Sequence, residues 1–288
     1  MVTNPLPDIT QVLRQFTVCY LAVGWYQAHH VWETTYEIHS DKKVGNLRVA
    51  VLSDSHTGTT FHGEGFAEHI KEIEAQNPDV LLIAGDFVDD DTSKEDMVRC
   101  CQALGEMQTT YGVYYVFGNH DKGYYPPDYR GYDGDDLIAE LEKNNVHVMQ
   151  DDVELVDDRF YIIGRKDKSE EYSGGRKTME ELTKDLDPDK FSIVLDHQPQ
   201  DYDAQAASGV DLVLSGHTHG GQVSLFKRWT PAGNFSKYGS RFLTGLKHNS
   251  QGIPVIISNG LGTSRKDIRL FTPSEVVLVI LHCGPEKP

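Results

Sequence analysis

Ser215-Gly216-His217-Thr218-His219-Gly220-Gly221 stands immediately after the largely apolar run 210–214. A run of that length bounded by glycine reads as a buried strand, and its end carries two imidazoles towards one cleft. Neutral imidazole is the commonest metal ligand, and small flanking residues let the backbone turn without crowding an ion. A His-x-His pair alone fits a solvated turn equally well. The ends of the other strands decide between the two readings.

Four further strand ends of this kind lie upstream. The run 47–52 is followed by Asp54 and His56, and the run 80–84 by Asp86, Asp89, Asp90 and Asp91. The run 112–117 leads into Gly118-Asn119-His120-Asp121, and 191–195 into Asp196-His197-Gln198-Pro199. One such end is commonplace. Five in one domain are hard to explain as satisfied core polar groups, because side chains at like ends of adjacent strands converge.

Between these strands, helices are expected over about 64–76, 93–107, 136–143 and 178–186, with further strands at 31–38, 146–149, 153–156, 160–163, 254–258 and 276–282. Strand–helix alternation followed by a strand-rich second half predicts an α/β fold in which two β-sheets face each other with helices outside. The loop 122–134 carries Tyr124, Tyr125, Tyr129 and Tyr132 and reads either as a lid or as ordinary surface packing.

Length and composition bound the rest. At 288 residues the chain suits one main domain over 31–288, and a net charge of −17 argues against bulk binding to nucleic acid or to an anionic membrane surface. Cys19, Cys100, Cys101 and Cys283 show no disulfide spacing, which is a reduced, cytoplasmic pattern. Residues 1–30 form a separate question. Ile9, Val12, Leu13, Phe16, Tyr20 and Val23 recur at helical spacing and predict an amphipathic helix, either packed on the domain or peripheral to a membrane. The uncharged stretch 16–28 falls short of the roughly 20 apolar residues of a spanning helix, and a basic n-region is missing.

The series Asp-x-His, Gly-Asp-x-x-Asp, Gly-Asn-His-Asp, a lone His and Gly-His-x-His, from Asp54 to His219, resembles the calcineurin-like metallophosphoesterases. Asp196-His197-Gln198-Pro199 and the closing Ile268-Arg269-Leu270-Phe271 are similar to the YkuE-like bacterial phosphodiesterase branch. The resemblance implies a four-layer αββα sandwich of two mixed sheets. It further implies a dinuclear centre, with Asp54, His56, Asp86 and His219 on one divalent ion and Asp86, Asn119, His197 and His217 on the other. Mixed nitrogen and oxygen donors suit Mn, Fe, Zn or Co, with manganese favoured. By the same resemblance, hydroxide held by the ions attacks phosphorus in line, His120 meets the leaving-group oxygen, and Asp89 orients His120.

Several substrates and one non-enzymatic role fit this pattern. Protein phosphatases of the superfamily carry Arg-Gly after the second acid of Gly-Asp-x-x-Asp, where Asp90-Asp91, read as a solvated acidic turn, stand here. Acidic residues there disfavour a phosphomonoester dianion, so a small phosphodiester is the preferred expectation. Arg165 and Tyr124 are candidate substrate contacts, with pairing to Asp167 as the structural alternative for Arg165. The competing readings are a pyrophosphatase acting on a nucleotide-linked lipid precursor, a phosphomonoesterase, and a non-catalytic metal-binding scaffold. No protein partner is expected.

Overall fold

In the computed structural model the described residues are 9–173, 175–223 and 243–284. The chain starts with the helix α1 (Ile9–His29) and the strands β1 (Trp32–Ser40) and β2 (Leu47–Leu52). Next come α2 (Gly63–Glu74), β3 (Val80–Ala84), α3 (Lys94–Glu106), β4 (Val113–Val116), α4 (Gly134–Lys143) and β5 (Val146–Met149). The second half comprises β6 (Asp152–Val156), β7 (Phe160–Gly164), α5 (Met179–Thr183), β8 (Phe191–Leu195), α6 (Tyr202–Ala207), β9 (Leu212–Ser215), β10 (Gly245–His248), β11 (Pro254–Ile257) and β12 (Glu275–Cys283).

Two six-stranded sheets result, ordered β1-β12-β2-β3-β4-β5 and β10-β11-β9-β8-β7-β6. Both are mixed: β2 to β5 run parallel, as do β7, β8, β9 and β11, while β12 pairs antiparallel with β2 and β6 with β7. The central strands β3 and β8 are buried throughout, as continuous aliphatic runs between two covered faces require. Val49, Leu82 and Val116 of the first sheet meet Ile162, Ile193 and Leu214 of the second in the core between them. Phe66, Ile70 and Ile73, one face of α2, pack with Met97 and Leu104 of α3 and Leu137 and Leu141 of α4 on the outer side of the first sheet. Met179, Leu182 and Tyr202 cover the second. The layers therefore run helix, sheet, sheet, helix.

Local sequence explains where the helices begin and end. Ser93 caps α3 by accepting the Asp96 amide at 3.1 Å, and Asp133 and Asp136 form a reciprocal capping box on α4. The helix α5 is shorter than expected, ending at Thr183 with Lys184 as its C-cap. Neither the half-exposed β10 nor the six-residue α6 was expected.

The helix α1 differs from all of these. Only Gly24 and Ala28 of its residues are buried, whereas Ile9 is 74% exposed, Phe16 71% and Trp25 56%. Its last turns are held by Arg269 N donating to Gly24 O at 3.0 Å and Ser274 Oγ donating to Ala28 O at 2.9 Å. Of the expected stripe, Ile9, Leu13, Phe16, Tyr20 and Val23 are exposed and Val12 is half-buried. Among the described residues no helix is long and apolar enough to cross a membrane.

Candidate metal centre

The C-terminal ends of β2, β3, β4, β8 and β9 meet where the two sheets face each other, and each delivers its block of polar side chains there. Reaching a common point forces unusual backbone. Asp54, His56, Asp86, His217 and His219 have φ of 49°, 39°, 51°, 69° and 50°, in the left-handed region that costs non-glycine residues about 1–3 kcal/mol each. Glycine is required at two places of close approach: a Cβ on Gly216 would overlap Asp54 Oδ2, and one on Gly118 would overlap Asp86 Oδ1.

Two donor sets emerge. Donor atoms of Asp54, His56 and His219 lie within 4.8 Å of one another, as do those of Asp86, His197 and His217. Asp86 Oδ2 lies 3.0 Å from His197 Nε2 and 3.8 Å from His56 Nε2, so it stands between the sets. His56 Nε2 and His219 Nε2 are 3.1 Å apart, and Asp54 Oδ1 is 3.5 Å from the latter. Asn119 donates Nδ2 to Tyr124 Oη at 2.7 Å, which leaves its buried Oδ1 without a partner. His197 Nε2 is also buried and, despite its closeness to Asp86, misaligned for a hydrogen bond. Facing ring nitrogens and orphaned buried donor atoms fit divalent cations.

The electrostatics point the same way. Burial opposes the charge of His197, yet Asp86 and Asp54 hold its pKa well above the ordinary value. Burial likewise opposes ionisation of Asp86, yet His197, His56 and His120 keep its carboxyl well below the usual range. His219 is pushed well down by burial, His56 and Arg269. The buried acids thus draw positive charge from neighbouring imidazoles, charge that divalent cations would supply in their place.

Outer contacts orient the donors. His197 Nδ1 lies 2.7 Å from Ala84 O and His56 Nδ1 3.0 Å from Asp89 Oδ2, arrangements that place the proton on Nδ1 and free Nε2. Asp121 accepts four backbone amides, from Asp86, Phe87, Val88 and Gly118, and so fixes the turn carrying Asp86. The His217 amide donates to both oxygens of Asp54, at 2.9 and 3.0 Å, across the sheet interface. Arg269, fully buried, donates to Thr272 O, Gly260 O and Gly262 O and lies 3.2 Å from His219 Nδ1. Asp121 and Arg269 were missed as site residues although both stand in the quoted motifs, because the motifs do not show that Asp121 braces the turn of Asp86 or that Arg269 reaches His219.

All seven expected donors, Asp54, His56, Asp86, Asn119, His197, His217 and His219, therefore reach one site, with His120 beside them. Three expectations change. Asp89 bonds His56, and its carboxylate lies near the His120 ring without a hydrogen bond to it; burial holds the His120 pKa below its ordinary value. Arg165 is buried and donates to Asp196 and Asp201, both at 2.9 Å, which corrects both its reading as a substrate contact and the alternative pairing with Asp167. Asp90 is no solvated turn residue: it accepts the Tyr124 and Tyr125 amides and ties the tyrosine loop to the centre. Tyr124 stays in place as a candidate contact, its ring 5.0 Å from that of His120, while Tyr132 is buried.

The chain is similar in sequence to known proteins. The calcineurin-like phosphoesterase profile matches residues 47–221. Uncharacterized metallophosphoesterases of Campylobacter jejuni and Aquifex aeolicus are each 31% identical to the chain over 85% of its length, covering 61% and 90% of their own. A transmembrane protein with a metallophosphoesterase domain from Bos taurus is 27% identical over 84% of the chain and 54% of its own length. The chain thus spans about three-fifths or less of two of these relatives. The profile takes in more than half of the chain and every block that supplies a converging donor, from Asp54 to His219, and the chain belongs to the calcineurin-like phosphoesterase family.

Proposed function

We propose that the chain hydrolyses a phosphodiester at a centre holding two divalent transition-metal ions. The observation that carries the reading is the pair of donor sets sharing Asp86. Asp54, His56, Asp86 and His219 would hold one ion, and Asp86, Asn119, His197 and His217 the other. When bound, a metal pair supplies acidified water and positive charge for the phosphoryl oxygens. The protein supplies orientation: Asp89 and Ala84 O aim the rings of His56 and His197, and the His120 backbone amide donates to Asp86 Oδ1 at 2.8 Å. The His120 side chain, edge-on to both His56 and Tyr124, donates a proton to the leaving-group oxygen.

Preference for a diester is supported by where the guanidinium groups point. Arg130 donates to the carbonyls of Asp89, Asp121 and Tyr132, Arg269 to those of Gly260, Gly262 and Thr272, and Arg165 and Arg176 to Asp196 and Asp201. None of these four is directed to grip a dianion. The test is hydrolysis of bis-p-nitrophenyl phosphate beside p-nitrophenyl phosphate by metal-stripped protein titrated with Mn²⁺. Metal-dependent turnover favouring the diester is expected. A monoester preference overturns the substrate class, and two retained ions without turnover of either compound point to a scaffold.

A second reading concerns placement. The exposed apolar side chains of α1 surround its axis, with Phe16 and Tyr20 on one side and Val18, Leu21 and Trp25 on the other. One docked protein covers one side of such a helix, whereas lipid embeds more of its circumference, so α1 is proposed to sink into a bilayer interface without crossing the membrane. A lipid-linked pyrophosphate is then the alternative substrate. Co-sedimentation with zwitterionic vesicles, lost when residues 1–22 are removed, is the expected result; a vesicle-free dimer that the same truncation dissolves sinks it.

A further inference from the structure

Far from the centre, at the open edge of the first sheet, β1 and β12 run parallel with His39 opposite His282. Side chains two apart on a strand share a face, so Glu37 and His39 project together, and His282 projects beside them from the neighbouring strand. The His39 and His282 rings stack with centroids 4.7 Å apart, and His282 Nε2 lies 3.6 Å from Glu37 Oε2. One donor atom from each of the three lies within 4.8 Å of the other two. His282 Nε2 is itself shielded from solvent and has no hydrogen-bond partner, although the side chain as a whole is 38% exposed.

We propose that Glu37, His39 and His282 form a second, peripheral site for a single divalent ion of borderline softness, zinc above all. Two imidazoles and a carboxylate are a suitable zinc set, with water in the fourth position. Zn–N distances of about 2.0–2.1 Å require the donors to close to about 3.3 Å, so binding entails rotation of the two stacked rings towards a common point. The backbone need not move, because the parallel ladder already fixes the register. The ion would clamp the edge strand β1 onto β12 at the end of β1 remote from α1. Cys283 takes no part, since its side chain packs towards the core between the sheets.

The test counts metal. Full-length protein freed of metal by chelation is titrated with Zn²⁺, passed through a desalting column and analysed for zinc per chain, alongside His39→Gln and Glu37→Gln. Each variant is expected to retain one equivalent less than the parent and to gain less in melting temperature from Zn²⁺, whatever number of ions the central site retains. Equal zinc in parent and variants overturns the proposal. A zinc-dependent doubling of mass on gel filtration, abolished by His39→Gln, overturns it in favour of an ion shared between two copies.

Discussion

The central cleft and α1 invert the usual partition of side chains in opposite senses. In the cleft, Asp54, Asp86, His56 and His197 are almost wholly buried; on α1, Leu13, Phe16 and Val18 are more than half exposed. Soluble proteins seldom leave either arrangement unmatched, since buried charge and contiguous exposed apolar surface both carry a free-energy cost. The inversions are nevertheless built differently. The cleft is over-determined, with each turn held by several backbone and side-chain bonds. Among the described residues, the helix is anchored to the domain through its last turns. A site that must hold geometry is braced from all sides, and one that needs only to present surface is not.

Breaking the cleft should have the largest effect. Asp86→Asn removes the carboxylate shared by both donor sets, so loss of both ions and of detectable turnover is expected from metal analysis and a diesterase assay; retention of both ions would show that the sets are independent. His120→Asn should keep the metal content and lower turnover by ~10²–10⁴, and a variant with parent-like turnover would remove His120 from the chemistry. Asp89→Asn weakens the contact that aims His56, with metal affinity expected to fall ~10–100-fold by competition with a chelating dye.

Two smaller effects concern the support and the surface. The carboxyl of Asp201 is held below its ordinary pKa: burial opposes its charge, but Lys168, Arg176 and Arg165 prevail. That contribution to stability is complete above the unfolded value near ~3.9 and disappears as pH falls through the depressed native value. Asp201→Asn should therefore melt lower than the parent at pH 7, and the gap should close below about pH 4. On α1, joint replacement of Leu13 and Phe16 by Glu should change stability by under ~0.5 kcal/mol while abolishing vesicle binding; a large loss of stability would mean that the helix packs against protein.

Much of the layout was legible because the inner strands are short, mainly apolar runs: β2, β3, β5 and β8 have the expected bounds. The donors were legible for a related reason, since each follows a strand that delivers it. What escaped was side-chain pairing across sequence distance. Nothing near Asp89 shows that it serves His56 rather than His120, and nothing near Arg165 shows that Asp196 and Asp201 will claim it. Strand β10 escaped because Gly245-Leu246-Lys247-His248 has neither alternation nor a buried run. The apolar stripe of α1 was read correctly as helical, but periodicity says nothing of whether a stripe finds a partner.

The division of donors between the sheets also sets an order in time. Asp54, His56, Asp86 and Asn119 lie ahead of β5, whereas His197, His217 and His219 come only with the second sheet. A chain emerging from the ribosome therefore carries its acids long before most of the imidazoles that complete either donor set. The first sheet itself stays open until β12, the last strand, slots between β1 and β2. Assembly of the centre thus waits for the second sheet, and a translation product truncated before β8 would hold at most half a site.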